Sequence, residues 1–238
     1  PASAAVVSAD MTMKPDPGRR RRIIACGVMR PELEAARTNG RGVHVQYLPQ
    51  ALHRDPDRLR SVLQGVIDRA ATSADQIVLG YGLCAGGIAG VRAPACGLVV
   101  PRAHDCITLF LGSRQSYELA FSRRPGTYYL TRGWVATDRD PLGTLESDYV
   151  PRVGRRDAEW ALREELKHYT HIVLIDTGVQ DAEPLRVRAR KNAELLEKEY
   201  DEVVGDPSYF ERMVHGPYDD DGFVLVRPGN TIRQEDFL

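Results

Sequence analysis

Four cysteines, Cys26, Cys84, Cys96 and Cys106, and the imidazoles of His53 and His104 are the residues of this sequence best suited to chemistry. Cys26 closes a β-rich run, residues 22–26, and is followed at once by Gly27. His53 stands in the loop after a second run, residues 43–48, and Cys84 just past a third, residues 76–81. His104, Asp105 and Cys106 follow a fourth run, residues 98–101. Four successive strand ends thus each deliver a sulfur or an imidazole. Cys96 precedes the fourth run and reads as a structural thiol at the opposite edge.

Three soft thiolates and an imidazole are a good donor set for zinc in tetrahedral geometry. The same thiolates suit an iron–sulfur cluster with one iron left open. On this reading Cys26, Cys84, Cys106 and His104 are metal ligands. They come from separate loops with no closely spaced cysteine pair, which points to a reaction centre more than to a local staple. A metal-free reading has its own logic. Cys106 falls in the first turn of a helix, where backbone N–H groups and the dipole favour a thiolate. His104, two residues earlier, would then serve as base or acid. His104 and Cys106 are the catalytic candidates on either reading, with Asp105 either orienting them or capping the helix; its position favours the cap. The bland alternative is that these are small residues filling crowded turns.

The glycines of the stretch GYGLCAGG, residues 80–87, follow a strand and precede a helix, a context in which backbone N–H groups cradle phosphates. The stretch has neither the acidic partner of a dinucleotide fingerprint nor the lysine of a P-loop. Tight bending that aims Cys84 inward is the favoured role. Gly82, Gly86 and Gly87, with His53, are kept as candidate cofactor-binding residues.

The elements that must position these groups alternate strand and helix. Asp55 caps a helix over 56–71, where Leu59, Val62, Leu63, Val66 and Ile67 form one stripe. The run QIVLGY is apolar almost throughout, as a strand covered on both faces should be. Later come a helix over 157–169, the strand HIVLID at 171–176, a charged helix over 182–200 and a last strand at 223–226. Repeated strand–helix–strand order predicts an α/β fold, a Rossmann-like parallel sheet with helices on both faces. Ligands of such sheets bind beyond the carboxyl ends of the strands. The likeness of QIVLGYG to HIVLIDTG is compatible with two similar lobes. The expected division is a disordered leader or arm over 1–21, a lobe carrying the Cys/His site over 22–124, an irregular connection over 125–155, and a second lobe or continuation of the sheet over 156–238. Tyr128, Tyr129 and Trp134 in the connection are a candidate wall for a flat ligand. Glu32 and Arg30, at the start of the first helix, either line the opening or serve as dipole and surface charge. The arginine run at 19–22 reads as a solvated edge.

Composition bounds the rest. The chain has 238 residues, 42% hydrophobic and 27% charged, with a formal net charge of −1. That balance is ordinary for a globular protein and supplies no field towards nucleic acid. No apolar run approaches the roughly 20 residues a membrane-spanning helix needs. Four cysteines in a chain of this length are not a disulfide scaffold, and residues 1–18 lack the pattern of a secretory signal, so reduced thiols and a cytoplasmic location are expected.

The segments IIACGVMRPELEA, LPQALH, GYGLCAGG, PRAHDCITLFLGS and GTYYLTRGW, in this order between residues 23 and 134, resemble the domain-of-unknown-function family 1638. The resemblance implies that Cys26, His53, Cys84, His104 and Cys106 occupy the family's motif positions. It also implies an association with corrinoid-dependent methyl-transfer systems, with a methyltransferase or corrinoid protein as partner. The chain departs from the family's usual glycine-asparagine after the loop cysteine, having Ala85-Gly86. The leading expectation is a metal-thiolate protein, zinc or iron–sulfur, acting in sulfur or methyl group transfer on a small-molecule or cofactor ligand. Two others stand beside it: a non-catalytic two-lobed module or chaperone holding a corrinoid or other cofactor, and a metal-free cysteine transferase.

Overall fold

The computed structural model describes residues 20–38, 42–219 and 221–237. The arm expected over 1–21 lies outside the described residues as far as residue 19. Its last two positions are ordered. Arg20 pairs with Asp75 at 2.9 Å, and Arg21 opens strand β1 (Arg21–Cys26) with its side chain buried. Burial of that charge is possible because Gln76 Oε1 accepts from its Nε at 2.9 Å, the Val214 carbonyl accepts from Nη1, and the Tyr218 ring lies 5.7 Å from the guanidinium. The arginine run is therefore not simply a solvated edge.

The chain then winds α1 (Arg30–Arg37), β2 (Val43–Leu48), α2 (Pro56–Ala71), β3 (Gln76–Gly80) and β4 (Leu98–Pro101). Asp55 caps α2, its carboxylate accepting from the Arg58 N–H at 3.0 Å, and Leu59, Leu63, Val66 and Ile67 of its stripe are buried. Every residue of β3 and β4 is buried, the signature of strands covered on both faces. The first sheet has the order β2-β1-β3-β4-β8, where β8 (Phe223–Val226) returns from the end of the chain to pair antiparallel with β4. The other pairs are parallel. Because β2 and β3 lie on opposite sides of β1, the winding reverses between β1 and β3. That reversal opens a crevice at the carboxyl ends of these strands, the place where open α/β sheets bind ligands.

After β4 come α3 (Cys106–Phe110), α4 (Arg114–Arg123), β5 (Thr127–Leu130), α5 (Arg132–Ala136), the short helices α6 (Pro141–Thr144) and α7 (Val150–Val153), α8 (Arg155–Glu165), β6 (His171–Asp176), α9 (Glu183–Leu196), β7 (Glu199–Val204) and α10 (Ser208–His215). Strands β5, β6 and β7 form a second, wholly parallel sheet in that order. The molecule is thus α/β and Rossmann-like, with a mixed and a parallel sheet and helices around both.

Two parts of the expected division change. Residues 125–155 are not irregular: the four-residue run TYYL pairs with β6, Thr127 opposite His171, and short helices follow it. An edge strand of four residues, two of them tyrosines that are only half-buried, is too short to carry an alternation that reveals it. Residues 156–238 are also not one lobe, since β6 and β7 belong to the second sheet and β8 to the first.

The two sheets meet through the loops that leave their strands. Helix α5, just past β5, presses on the turn after β1 at Gly133, where any Cβ would collide with the Val28 carbonyl. Thr177, just past β6, hydrogen-bonds Glu32 of α1 at 3.0 Å. Among the described residues no helix is long and apolar enough to cross a membrane.

Candidate functional site

Cys26 ends β1, fully buried, in extended backbone (φ −63°, ψ 138°). Cys84 is half-buried in the loop leaving β3, and Cys106 is the buried first residue of α3 beyond β4. Their loops are stitched together. The Leu83 N–H donates to the Ala103 carbonyl at 2.8 Å, and the Cys84 N–H to the His104 carbonyl at 2.9 Å. Gly82 makes this approach possible, because a Cβ there would sit 2.7 Å from the Asp105 backbone. Cys84 and Ala85 both hold left-handed φ values, 50° and 54°, and the Gly86 N–H closes the turn on the Leu83 carbonyl at 3.0 Å. Two consecutive non-glycine residues in that region cost on the order of 1–2 kcal/mol each. Such strain is retained where the surroundings fix it, commonly at functional sites.

The three thiols share one electrostatic environment. Burial pushes Cys26 up to about 11, against the pull of the Val28 and Gly27 N–H groups. Burial pushes Cys84 up to about 12, with Cys26 and Asp105 adding to the rise and the Gly82 and Cys106 N–H groups opposing it. Cys106 is raised well above the ordinary thiol range, first by burial, then by Cys84, Cys26 and Asp105. None of these shifts has a lysine, arginine or histidine among its causes. The thiols are therefore held protonated at neutral pH, and the expected first-turn activation of Cys106 is outweighed by burial and by its sulfur neighbours.

At the centre of this arrangement stands Tyr81, a residue the sequence reading left inside its strand. It is fully buried, and its hydroxyl has no hydrogen-bond partner among the described residues. After burial, Cys26, Cys84 and Cys106 are what hold its phenol proton. His53, in the turn Gln50–Arg54, stacks on the Tyr81 ring with centroids 5.7 Å apart. Its Nδ1 faces the Gln50 carbonyl at 3.1 Å, and burial lowers its pKa. A neutral ring with the proton on Nδ1 leaves Nε2 as a lone-pair donor. The signal for Tyr81 was its position between Gly80 and Gly82 at a strand's carboxyl end.

The other sequence candidates are placed as follows. Asp105 caps α3, accepting from the Thr108 N–H at 3.2 Å. His104 holds Cys84 through its carbonyl, and its ring is half-buried. Gly86 and Gly87 pack against Gln234 and Leu59, so that all three loop glycines face protein atoms. Cys96 is half-buried on the far side of β4, with its sulfur 3.8 Å from the Gly97 carbonyl. Among the described residues no group of three or more His, Cys, Asp and Glu side chains stands in metal-ligand geometry. Arg30 lies over the Tyr47 ring at 4.2 Å. Glu32 is neither a surface charge nor part of an opening. It is 1% exposed, accepts from Thr177, and has Oε2 unpartnered among the described residues. Burial pushes it up to about 7, against its own N–H, Thr177 and Arg132.

A family model described as a protein of unknown function, DUF1638, matches residues 47–214. The chain belongs to the DUF1638 family. The matched residues include His53, Tyr81, Cys84, His104 and Cys106, while Cys26 precedes them. No curated protein and no solved structure matches the chain. The DUF1638 membership accords with the resemblance read from the motifs, and the family carries no assigned activity.

Proposed function

We propose that the chain is a metal-thiolate protein in which Cys26, Cys84 and Cys106 hold a soft cation, zinc or an iron–sulfur cluster, for a group-transfer reaction. The observation that supports this reading is that three buried thiols leave the carboxyl ends of β1, β3 and β4, two of them on loops joined by backbone hydrogen bonds, with no cationic side chain among the causes of their pKa shifts. Without a cation such a cluster is inert, because its sulfurs stay protonated. A bound soft cation would favour their deprotonated form, so that Cys26, Cys84 and Cys106 would hold it as thiolates. The chemistry of the donors supports this, since thiolate sulfur suits zinc and iron and backbone N–H groups of Gly27, Val28, Gly82 and Cys106 favour the thiolates of Cys26 and Cys84; the side chains themselves do not stand in ligand geometry among the described residues. The ring of His104, in the loop before Cys106, and Nε2 of His53, in the turn after β2, are the nitrogen donors at the same strand ends.

A soft cation bound there would keep sulfur in its thiolate form at neutral pH and activate an incoming thiol or water. The chain's own residues supply the rest. Tyr81 offers a hydroxyl to a sulfur or a substrate oxygen, His53 a neutral imidazole for a proton, and the joined loops a dry wall.

Elemental analysis and an absorption spectrum of anaerobically purified protein test this. Stoichiometric metal is expected, lost on changing Cys26, Cys84 or Cys106 to Ser and kept on changing Cys96 to Ser. Metal-free protein whose three site thiols alkylate as fast as Cys96 overturns the reading, as does a red or orange chromophore, which belongs to a corrinoid.

A further inference from the structure

Beside Cys106 lies a second feature that the thiol site does not use. A pocket of about 360 Å³ opens next to the first turn of α3, with Asp105 and Ile107, the two neighbours of Cys106, in its wall. The rest of the wall is mostly aromatic. Tyr117 stacks on Phe121 with centroids 6.3 Å apart, Tyr128 meets Tyr169 edge-on at 5.3 Å, and Tyr129 and Trp134 complete it. The volume falls within the range of small-ligand sites.

The charge in this wall is lopsided. Asp105 is its carboxylate, and burial together with the charge of Asp105 raises the Tyr117 phenol above its ordinary range. Arg124 is the cation in the lining, and it is already ion-paired with Asp201 of β7. A ligand therefore meets aromatic faces and a carboxylate whose partners among the described residues, the N–H and hydroxyl of Thr108, leave its charge unneutralised. Aromatic rings attract cations through the negative potential of their faces, most strongly when the cation is alkylated and weakly hydrated. An anion would meet repulsion from Asp105, and a neutral flat molecule would leave its charge unbalanced.

We propose that this pocket takes a small alkylated onium ion, ammonium or sulfonium, seated on the aromatic wall with its charge towards Asp105. Calling it the substrate subsite of the thiol centre rests on the metal-thiolate reading; onium binding itself does not.

Tryptophan fluorescence tests it. The chain has two tryptophans, and Trp160 is exposed on α8, so Trp160→Phe leaves Trp134 of the pocket as the reporter. In that background choline should change the emission saturably, and its uncharged carbon isostere, dimethylbutanol, should bind at least fivefold more weakly, as a cation–π contribution of about 1 kcal/mol implies. Asp105→Asn should weaken choline at least fivefold with the helix content unchanged, since Asn caps a helix as well as Asp does. Equal binding of the isostere, an unaltered Asp105→Asn titration, or no saturable response overturns the proposal. Metal content, read separately on the same samples, keeps the two questions apart: choline binding by metal-free protein leaves the pocket standing and the metal reading fallen, and metal-loaded protein indifferent to choline does the reverse.

Discussion

The Cys84 N–H donates to the His104 carbonyl at 2.9 Å, so the loop after β3 and the loop after β4 are tied backbone to backbone. Two sulfurs, Cys84 and Cys106, are thereby positioned by backbone, not by side-chain packing alone. Backbone positioning is what a reaction centre needs if its geometry is to survive ligand exchange.

Opposite effects within a few residues follow from this joint. A Cβ at position 82 would lie 2.7 Å from the Asp105 backbone, a contact that must be relieved by separating the loops. Gly82→Ala should therefore destabilise by about 1–3 kcal/mol, as overpacking does, and expose Cys84 to alkylation. Ala85 is exposed and left-handed (φ 54°). Ala85→Gly should stabilise by about 0.5–1 kcal/mol, the relief of αL strain less the entropy glycine adds to the unfolded chain. Thermal melts and thiol-labelling rates check both; equal signs for the two variants would mean that the loop adjusts freely.

Glu32 ties stability to pH. Its folded value of about 7 stands above the ordinary 4.5, so the folded protein holds this proton more tightly than the unfolded chain does. The contribution is fully present below about 4.5 and is lost as the pH rises through about 7. Glu32→Gln keeps an acceptor for Thr177 and cannot ionise. Relative to the parent, it should gain on the order of 2 kcal/mol between pH 5 and pH 8. Denaturant melts at the two pH values measure this, and parallel pH profiles would show that Glu32 ionises in the folded protein at no cost.

How much of this was legible beforehand differs from residue to residue. Strands β1, β3 and β4 announce themselves through apolar runs, β2 through its alternation, and helix α2 through an apolar stripe and the Asp55 cap, and the strand ends bearing Cys26, Cys84 and Cys106 follow from them. The joining of β8 to β4 was hidden, because antiparallel return of a distant strand leaves no local mark. β5 was hidden by its length. Glu32 reads from sequence as an ordinary first-turn acid; its burial depends on Thr177, 145 residues away along the chain. That Cys26, Cys84 and Cys106 leave the carboxyl ends of strands in one sheet was inferable from strand order, but the protonation of their thiols was not. It depends on how deeply the loops bury them, and on Tyr81, whose place among the sulfurs comes from the turn of Gly82.

The Tyr81 hydroxyl separates a packing role from a role in the site. It is buried without a partner among the described residues, which costs the empty fold on the order of 1 kcal/mol or more. Tyr81→Phe should then raise the melting temperature of metal-free protein by about 2–4 °C, the scale expected for that energy in a chain of this size. If the same hydroxyl donates to a metal-bound sulfur, its loss should weaken zinc retention about tenfold against a competing chelator, the usual effect of removing a group that orients a ligand. Stabilisation of the empty protein together with weaker retention places Tyr81 in the site. A lower melting temperature without metal would mean that its hydroxyl already serves the fold, and that the three thiols surround a structural tyrosine.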